Sequence, residues 1–108
     1  MIYEYRVYEA VPGKLDEVHA RFRDHTLKIF ERCGIQNIGY WTADVGGSNH
    51  NLYYIVAFQD HAARSLAWAA FRKDPEWISV RAETEANGPI VTKVFNRILS
   101  PTDYSPMK

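Results

Sequence analysis

Seven consecutive residues, Leu52 to Phe58, are all apolar or aromatic. Tyr, Ile, Val and Phe favour extended backbone, so the stretch Asn51 to Phe58 predicts a strand. A strand with one wet face alternates apolar and polar residues. This one does not, which predicts apolar surroundings on both faces of its sheet. Whatever the rest of the chain does, it must supply cover for two faces.

The remaining elements decide what that cover is. Ile2 to Glu9 is rich in Tyr and Val and predicts a first strand, ended by Val11-Pro12-Gly13. Lys14 to Arg32 predicts a helix, with Leu15, Val18, Phe22, Ile29 and Cys33 on one stripe and Gly34 as its C-terminal cap. Ile35 to Val45 predicts a second strand, joined through Gly46-Gly47-Ser48-Asn49 to Asn51–Phe58 as a hairpin. Asp60 is an N-cap for a helix through Ala62, Leu66 and Ala69 to about Arg72. Asp74-Pro75-Glu76-Trp77 opens another helix, with its cap, N1 proline and acid in order, reaching about Ala86. Val91 to Leu99 is the last strand. The order is strand–helix–strand–strand–helix–strand in one domain over residues 1–99, followed by an extended tail over 100–108.

Right-handed crossovers put both helical regions on one side of such a sheet. The opposite side needs another cover, because a monomer rarely exposes so large an apolar patch. A second copy packed sheet to sheet supplies it by an isologous contact, so a homodimer is expected. The competing expectation is that the tail folds back over the sheet.

Charge narrows the partners. Thirteen basic and 13 acidic side chains give zero formal net charge, which favours neither nucleic acid nor an anionic membrane. The apolar run and element order fit an RNA recognition motif, yet Asn51-Leu52-Tyr53-Tyr54 lacks that motif's basic residue and glycines. No stretch approaches the ~20 apolar residues of a membrane span. Glu4 and Arg6 interrupt any leader-like run at the N-terminus. The lone Cys33 has no partner for an internal disulfide, and a cytoplasmic location is expected.

Taken together, several segments resemble the NIPSNAP family: Tyr3-Glu4-Tyr5-Arg6-Val7-Tyr8 with Pro12-Gly13-Lys14, then Gly34-Ile35 and Gly39-Tyr40-Trp41. Ala57-Phe58 with Arg64, Asp74-Pro75-Glu76-Trp77, Asn96-Arg97-Ile98-Leu99 and Ser105-Pro106 continue the resemblance to the chain's end. It implies an α+β, ferredoxin-like βαββαβ domain with an antiparallel sheet, two such domains pairing as a dimeric α+β barrel. Related barrels include cofactor-independent monooxygenases, haem-degrading enzymes and peroxidases. The resemblance assigns fold more firmly than reaction.

Candidate site residues follow from position and chemistry. His25 falls between Phe22 and Ile29 on the inward stripe, where an imidazole serves as acid, base or ligand. Arg6, beside Glu4 on one face of the first strand, is either an anion or carbonyl clamp or half of a structural ion pair. Tyr8, Trp41, Tyr54, Trp68 and Trp77 are candidates to line an aromatic pocket, or are core. Arg64 braces the helix start or binds an anion. Cys33, at a helix C-terminus, is a poor nucleophile. No metal or cofactor is expected: His19 and His25 lie about 240° apart around a helix, and no HExxH or paired-Cys motif occurs. The expected function is binding of a small apolar or aromatic molecule in a helix–sheet pocket of the homodimer. The alternatives are a cofactor-independent monooxygenase-like or isomerase-like enzyme and a haem-binding protein.

Overall fold

A computed structural model describes residues 1–108. The strands are β1 (Ile2–Ala10), β2 (Gln36–Trp41), β3 (Asn51–Phe58) and β4 (Val91–Leu99). The helices are α1 (Leu15–Arg21) and α2 (Leu27–Cys33), joined without a break by a π-helical turn at Phe22–Thr26, then α3 (His61–Lys73) and α4 (Pro75–Thr84). The sheet order is β2-β3-β1-β4, and every neighbouring pair is antiparallel. β1 therefore lies between β3 and β4.

The capping residues act as the sequence predicts. The Asp60 carboxylate accepts from the Ala63 N–H, and the Asp74 carboxylate accepts from the Trp77 N–H with Pro75 at N1. Gly34 closes α2 at φ 93°, a left-handed conformation that favours glycine. β2 stops at Trp41, short of the expected Val45, because the chain turns away through a loop in which Gly46 and Gly47 take positive φ. The close approach in β2 is at Gly39, where an added Cβ would lie 2.5 Å from the Trp41 ring.

One sheet face carries the core. Ile2, Leu52, Tyr54, Val56 and Phe58 from the strands pack with Val18, Phe22, Ile29 and Phe30 from the first helical region and Ala67, Trp68 and Phe71 from α3. Its centre is aromatic: Phe30 meets Trp68 edge-on at 5.5 Å and Phe71 at 4.9 Å, while Tyr40 stacks on Tyr54 at 5.0 Å. Such pairs contribute about 0.5–1.5 kcal/mol each beyond area burial. In α3 the inward residues are Ala67, Trp68 and Phe71, and Leu66 is exposed.

On the other sheet face, Tyr53 and Ile55 are half-buried in the single chain, whereas Leu52, Tyr54 and Val56 are fully buried. Trp41, Phe95 and Leu99 are exposed. The tail is exposed over most of its length, Tyr104 to 82%.

Candidate functional site

Side chains alternate along β1, so Glu4, Arg6 and Tyr8 share a face. Register places them opposite Val56, Tyr54 and Leu52 of β3, the residues that face the helices. α3 crosses this row, and its Arg64, Trp68 and Arg72 recur every four residues along one stripe. Two polar strand residues thus meet two polar groups of a helix at the edge of an aromatic core.

Glu4 is the organising group. Its side chain is fully buried and accepts five hydrogen bonds. Arg64 forks onto both oxygens, Nε to Oε1 at 2.8 Å and Nη2 to Oε2 at 3.1 Å. The Trp68 indole N–H donates to Oε1 at 2.9 Å, Arg6 Nη1 to Oε2 at 2.8 Å, and Asn96 Nδ2 to Oε2 at 2.9 Å. Burial alone would push the Glu4 carboxyl up, but hydrogen bonds from Arg64, Asn96, Trp68 and Arg6 outweigh it and hold the pKa at about 2. The carboxylate ties β1, β4 and α3 together.

Arg6 is fixed on three sides. Nη1 holds Glu4, Nε donates to the Tyr54 hydroxyl at 2.7 Å, and Cζ lies 4.5 Å from the Trp68 ring centroid. Burial opposes its charge, but Tyr54, Tyr8 and Glu4 more than offset that, and its pKa moves upward. Burial also pushes the Tyr54 hydroxyl well above its ordinary range, keeping it neutral.

Beyond Arg6 opens a cavity of about 520 Å³ bounded by β1, α3, α4 and the start of β4. Its apolar wall is Tyr8, Trp68, Phe71, Trp77, Val91 and Val94. Its cations are Arg6, Arg21, Arg64, Arg72, Arg81 and Lys93, with Glu85 among them. Arg21 is 5% exposed and donates from Nη1 to Glu85 at 3.0 Å and to the Thr84 hydroxyl at 3.2 Å. Its guanidinium lies 5.0 Å from the Trp77 ring centroid. Glu85 also pairs with Arg81 at 3.2 Å. A groove of about 490 Å³ continues outward along α4, sharing Arg72, Trp77, Arg81 and Glu85.

Five of the sequence candidates therefore meet at this cavity: Arg6, Tyr8, Arg64, Trp68 and Trp77. Tyr54 lies behind it, as the acceptor for Arg6. Two candidates lie elsewhere. Trp41 is half exposed, at 52%, and pairs in register with Tyr53 rather than with the helix-facing row. His25 is half-buried in a shallow groove with Glu17, Ala20, Arg21, Asp24 and Thr84. The cause is the π turn. With a wider turn than an α-helix, Phe22 is followed on the inward stripe by Thr26 rather than His25. Thr26 is buried, and its hydroxyl donates to the Arg21 carbonyl at 3.2 Å.

The sequence reading did not single out Arg21, Arg72, Arg81, Lys93 or Asn96. The four-residue spacing of Arg64, Trp68 and Arg72 was the available signal for one of them. Cys33 matches its expected inertness: burial first, then Asp74 3.9 Å away, raises the thiol pKa. No three His, Cys, Asp or Glu side chains gather in a group able to hold a metal ion. No helix is long and apolar enough to cross a membrane.

The four-stranded antiparallel sheet in this order, with helices over one face and a cavity between them, defines a ferredoxin-like α+β protein. The NIPSNAP family model matches residues 3–106, and the chain belongs to that family. Protein NipSnap homolog 3B of Mus musculus is 31% identical over 75 residues, covering 69% of this chain and 30% of that protein. The chain thus matches less than a third of that relative's length. An uncharacterised NIPSNAP domain protein from Burkholderia xenovorans superposes with a TM-score of 0.84 at 24% identity, covering 98% of this chain and 99% of that one. A candidate antibiotic biosynthesis monooxygenase from Nitrosomonas europaea shares the fold more distantly, with a TM-score of 0.63 and 10% identity over 94% of this chain and 98% of that one.

Proposed function

We propose that the chain binds a small aromatic or apolar molecule in the cavity between α3, α4 and the sheet, and that it works as a homodimer. The observation behind the binding reading is the pairing of an aromatic wall with polar groups already fixed in place. Trp68, Phe71, Trp77 and Tyr8 offer flat apolar surface, while Arg6 and Arg64 are held by the buried Glu4 carboxylate. A site whose donors are locked before the ligand arrives loses less entropy on binding. The volume lies within the range of small-molecule pockets. A thermal-shift screen of small aromatic compounds tests it: hits that raise Tm are expected, with the rise lost in Trp77→Ala. A screen in which nothing moves Tm counts against the reading.

The dimer reading rests on the uncovered sheet face. Tyr5, Val7, Phe95 and Arg97 line a shallow depression there, and Trp41 and Leu99 are exposed on the same face. A second copy presents a matching surface by symmetry. The lone free Cys33 supports keeping a cytoplasmic location within this reading.

An enzyme of the cofactor-independent monooxygenase type is the second reading, favoured by the fold shared with the candidate monooxygenase. In that case Arg6 and Tyr8 are the polar groups in the cavity, and His25 is not among them. Oxygen uptake with hydroquinone substrates, abolished in Arg6→Gln, is the expected result; no uptake across a substrate panel retires the reading. No histidine or cysteine lines the cavity, so a haem would find no axial ligand of those kinds there.

A further inference from the structure

The chain carries no net charge, yet its cavity is strongly polarised. Six of the 13 basic side chains line it, and only two carboxylates stand against them: Glu85 in the wall and Glu4 behind it. Both are already engaged. Glu4 accepts five hydrogen bonds, and a single Glu85 oxygen, Oε2, serves both Arg21 and Arg81. Arg72 and Lys93 take part in no ion pair. Arg21 is nine-tenths buried beside the cavity, and its Nε has no hydrogen-bond acceptor. Its charge is met by Glu85 through Nη1, but a buried donor left without an acceptor costs free energy.

We propose that the molecule taken by this cavity is an organic acid, an aromatic or apolar body bearing a carboxylate, and that Arg72 and Lys93 receive the carboxylate with Arg21 adding its field from below. This rests on the binding reading above and narrows it to a charge class. The lining supplies both parts. Trp68, Phe71 and Trp77 bury the flat body, while Arg72 and Lys93, the lining cations without an ion pair, meet the anion. A cleft lined by one sign of charge over low-dielectric aromatic walls concentrates the field on an entering anion. Arg6 and Arg64 each contribute less, because they share the single negative charge of Glu4 at close range. A neutral aromatic of the same shape fills the same wall and leaves the unpaired cations as they were.

Matched probes separate the charge from the shape. Binding of 2-naphthoate, 2-naphthamide and inorganic phosphate is measured by calorimetry on the full chain, in low salt and again in about 0.3 M salt. The expected result is naphthoate binding at least about tenfold tighter than the amide in low salt, with that preference reduced by salt. Arg72→Gln with Lys93→Gln brings the acid to within about threefold of the amide by weakening the acid far more than the amide. Both positions are exposed, so the fold is expected to survive, and circular dichroism checks it. Equal affinity for acid and amide overturns the charge assignment and leaves the pocket reading standing. Phosphate binding as tightly as naphthoate also overturns the assignment, because the aromatic wall then contributes nothing. If neither naphthalene compound binds, the pocket reading fails and this inference with it.

Discussion

Glu4 is the residue on which the site's geometry depends. It is a carboxylate with a fully buried side chain, held by two arginines, an indole and an amide. Removing one partner of such a group leaves the others as unpaired buried donors. Glu4→Gln is expected to lower stability by about 3 kcal/mol, read from urea unfolding, because it strips the counter-charge from Arg6 and Arg64. The same group sets an acid response. Its folded pKa of about 2 lies below the ordinary 4.5, so the unfolded chain takes up the proton first as pH falls. Its contribution, about 3 kcal/mol, is fully present above pH 4.5 and disappears as the pH falls towards 2. Unfolding curves taken across that window check it; the Glu4→Gln variant, with no group to titrate, follows a flatter profile. The Glu4–Arg6 pair was legible in β1 as two charges on one face of a strand. Its partners Arg64 and Asn96 were not, because they stand 60 and 92 residues away and only the folded sheet and α3 bring them in.

At the level of elements, the caps were legible and the helical phase was not. Asp60 and Asp74 announce α3 and α4 through side-chain chemistry that acts over three residues, a range the sequence displays directly. Asp74 also pairs with Arg32 of α2 at 2.7 Å, so it sets both the start of α4 and its contact with the first helical region. Asp74→Ala is expected to cost about 1–2 kcal/mol by thermal unfolding, since a cap is lost and the exposed ion pair adds little. Because α4 carries Trp77, the same variant is expected to weaken binding of an aromatic probe. The π turn between α1 and α2 left no sequence signal. His25 and Thr26 each suit a half-buried position, and whether the stripe steps by three or by four after Phe22 is decided by packing against the sheet. That one-residue difference moved the favoured catalytic candidate off the cavity and left Arg21, a turn earlier, beside it.

Across the whole molecule, the two faces of the sheet differ in what covers them. The helix side holds the core and the cavity; the other side, with Trp41, Phe95 and Leu99 exposed, is the face proposed to meet a second copy. Light scattering after gel filtration is expected to give twice the 12.5 kDa chain mass, and Ile55→Glu, which places a charge on the open face, is expected to give the chain mass alone. The run Leu52–Phe58 made the two-sided demand visible from sequence; within one chain its burial alternates from Leu52 to Val56, and Ala57 and Phe58 are both buried. The cavity itself was not visible, because its cations are scattered from Arg6 to Lys93 in a neutral chain. The central claim is that this cavity receives the ligand. The three tryptophans test it most directly, since Trp68 and Trp77 line the cavity and Trp41 does not. In a nitrogen-15 correlation spectrum recorded during titration with 2-naphthoate, the indole N–H signals of Trp68 and Trp77 are expected to move and saturate together while that of Trp41 stays still. Movement of Trp41 alone, or of none of the three, would contradict the account.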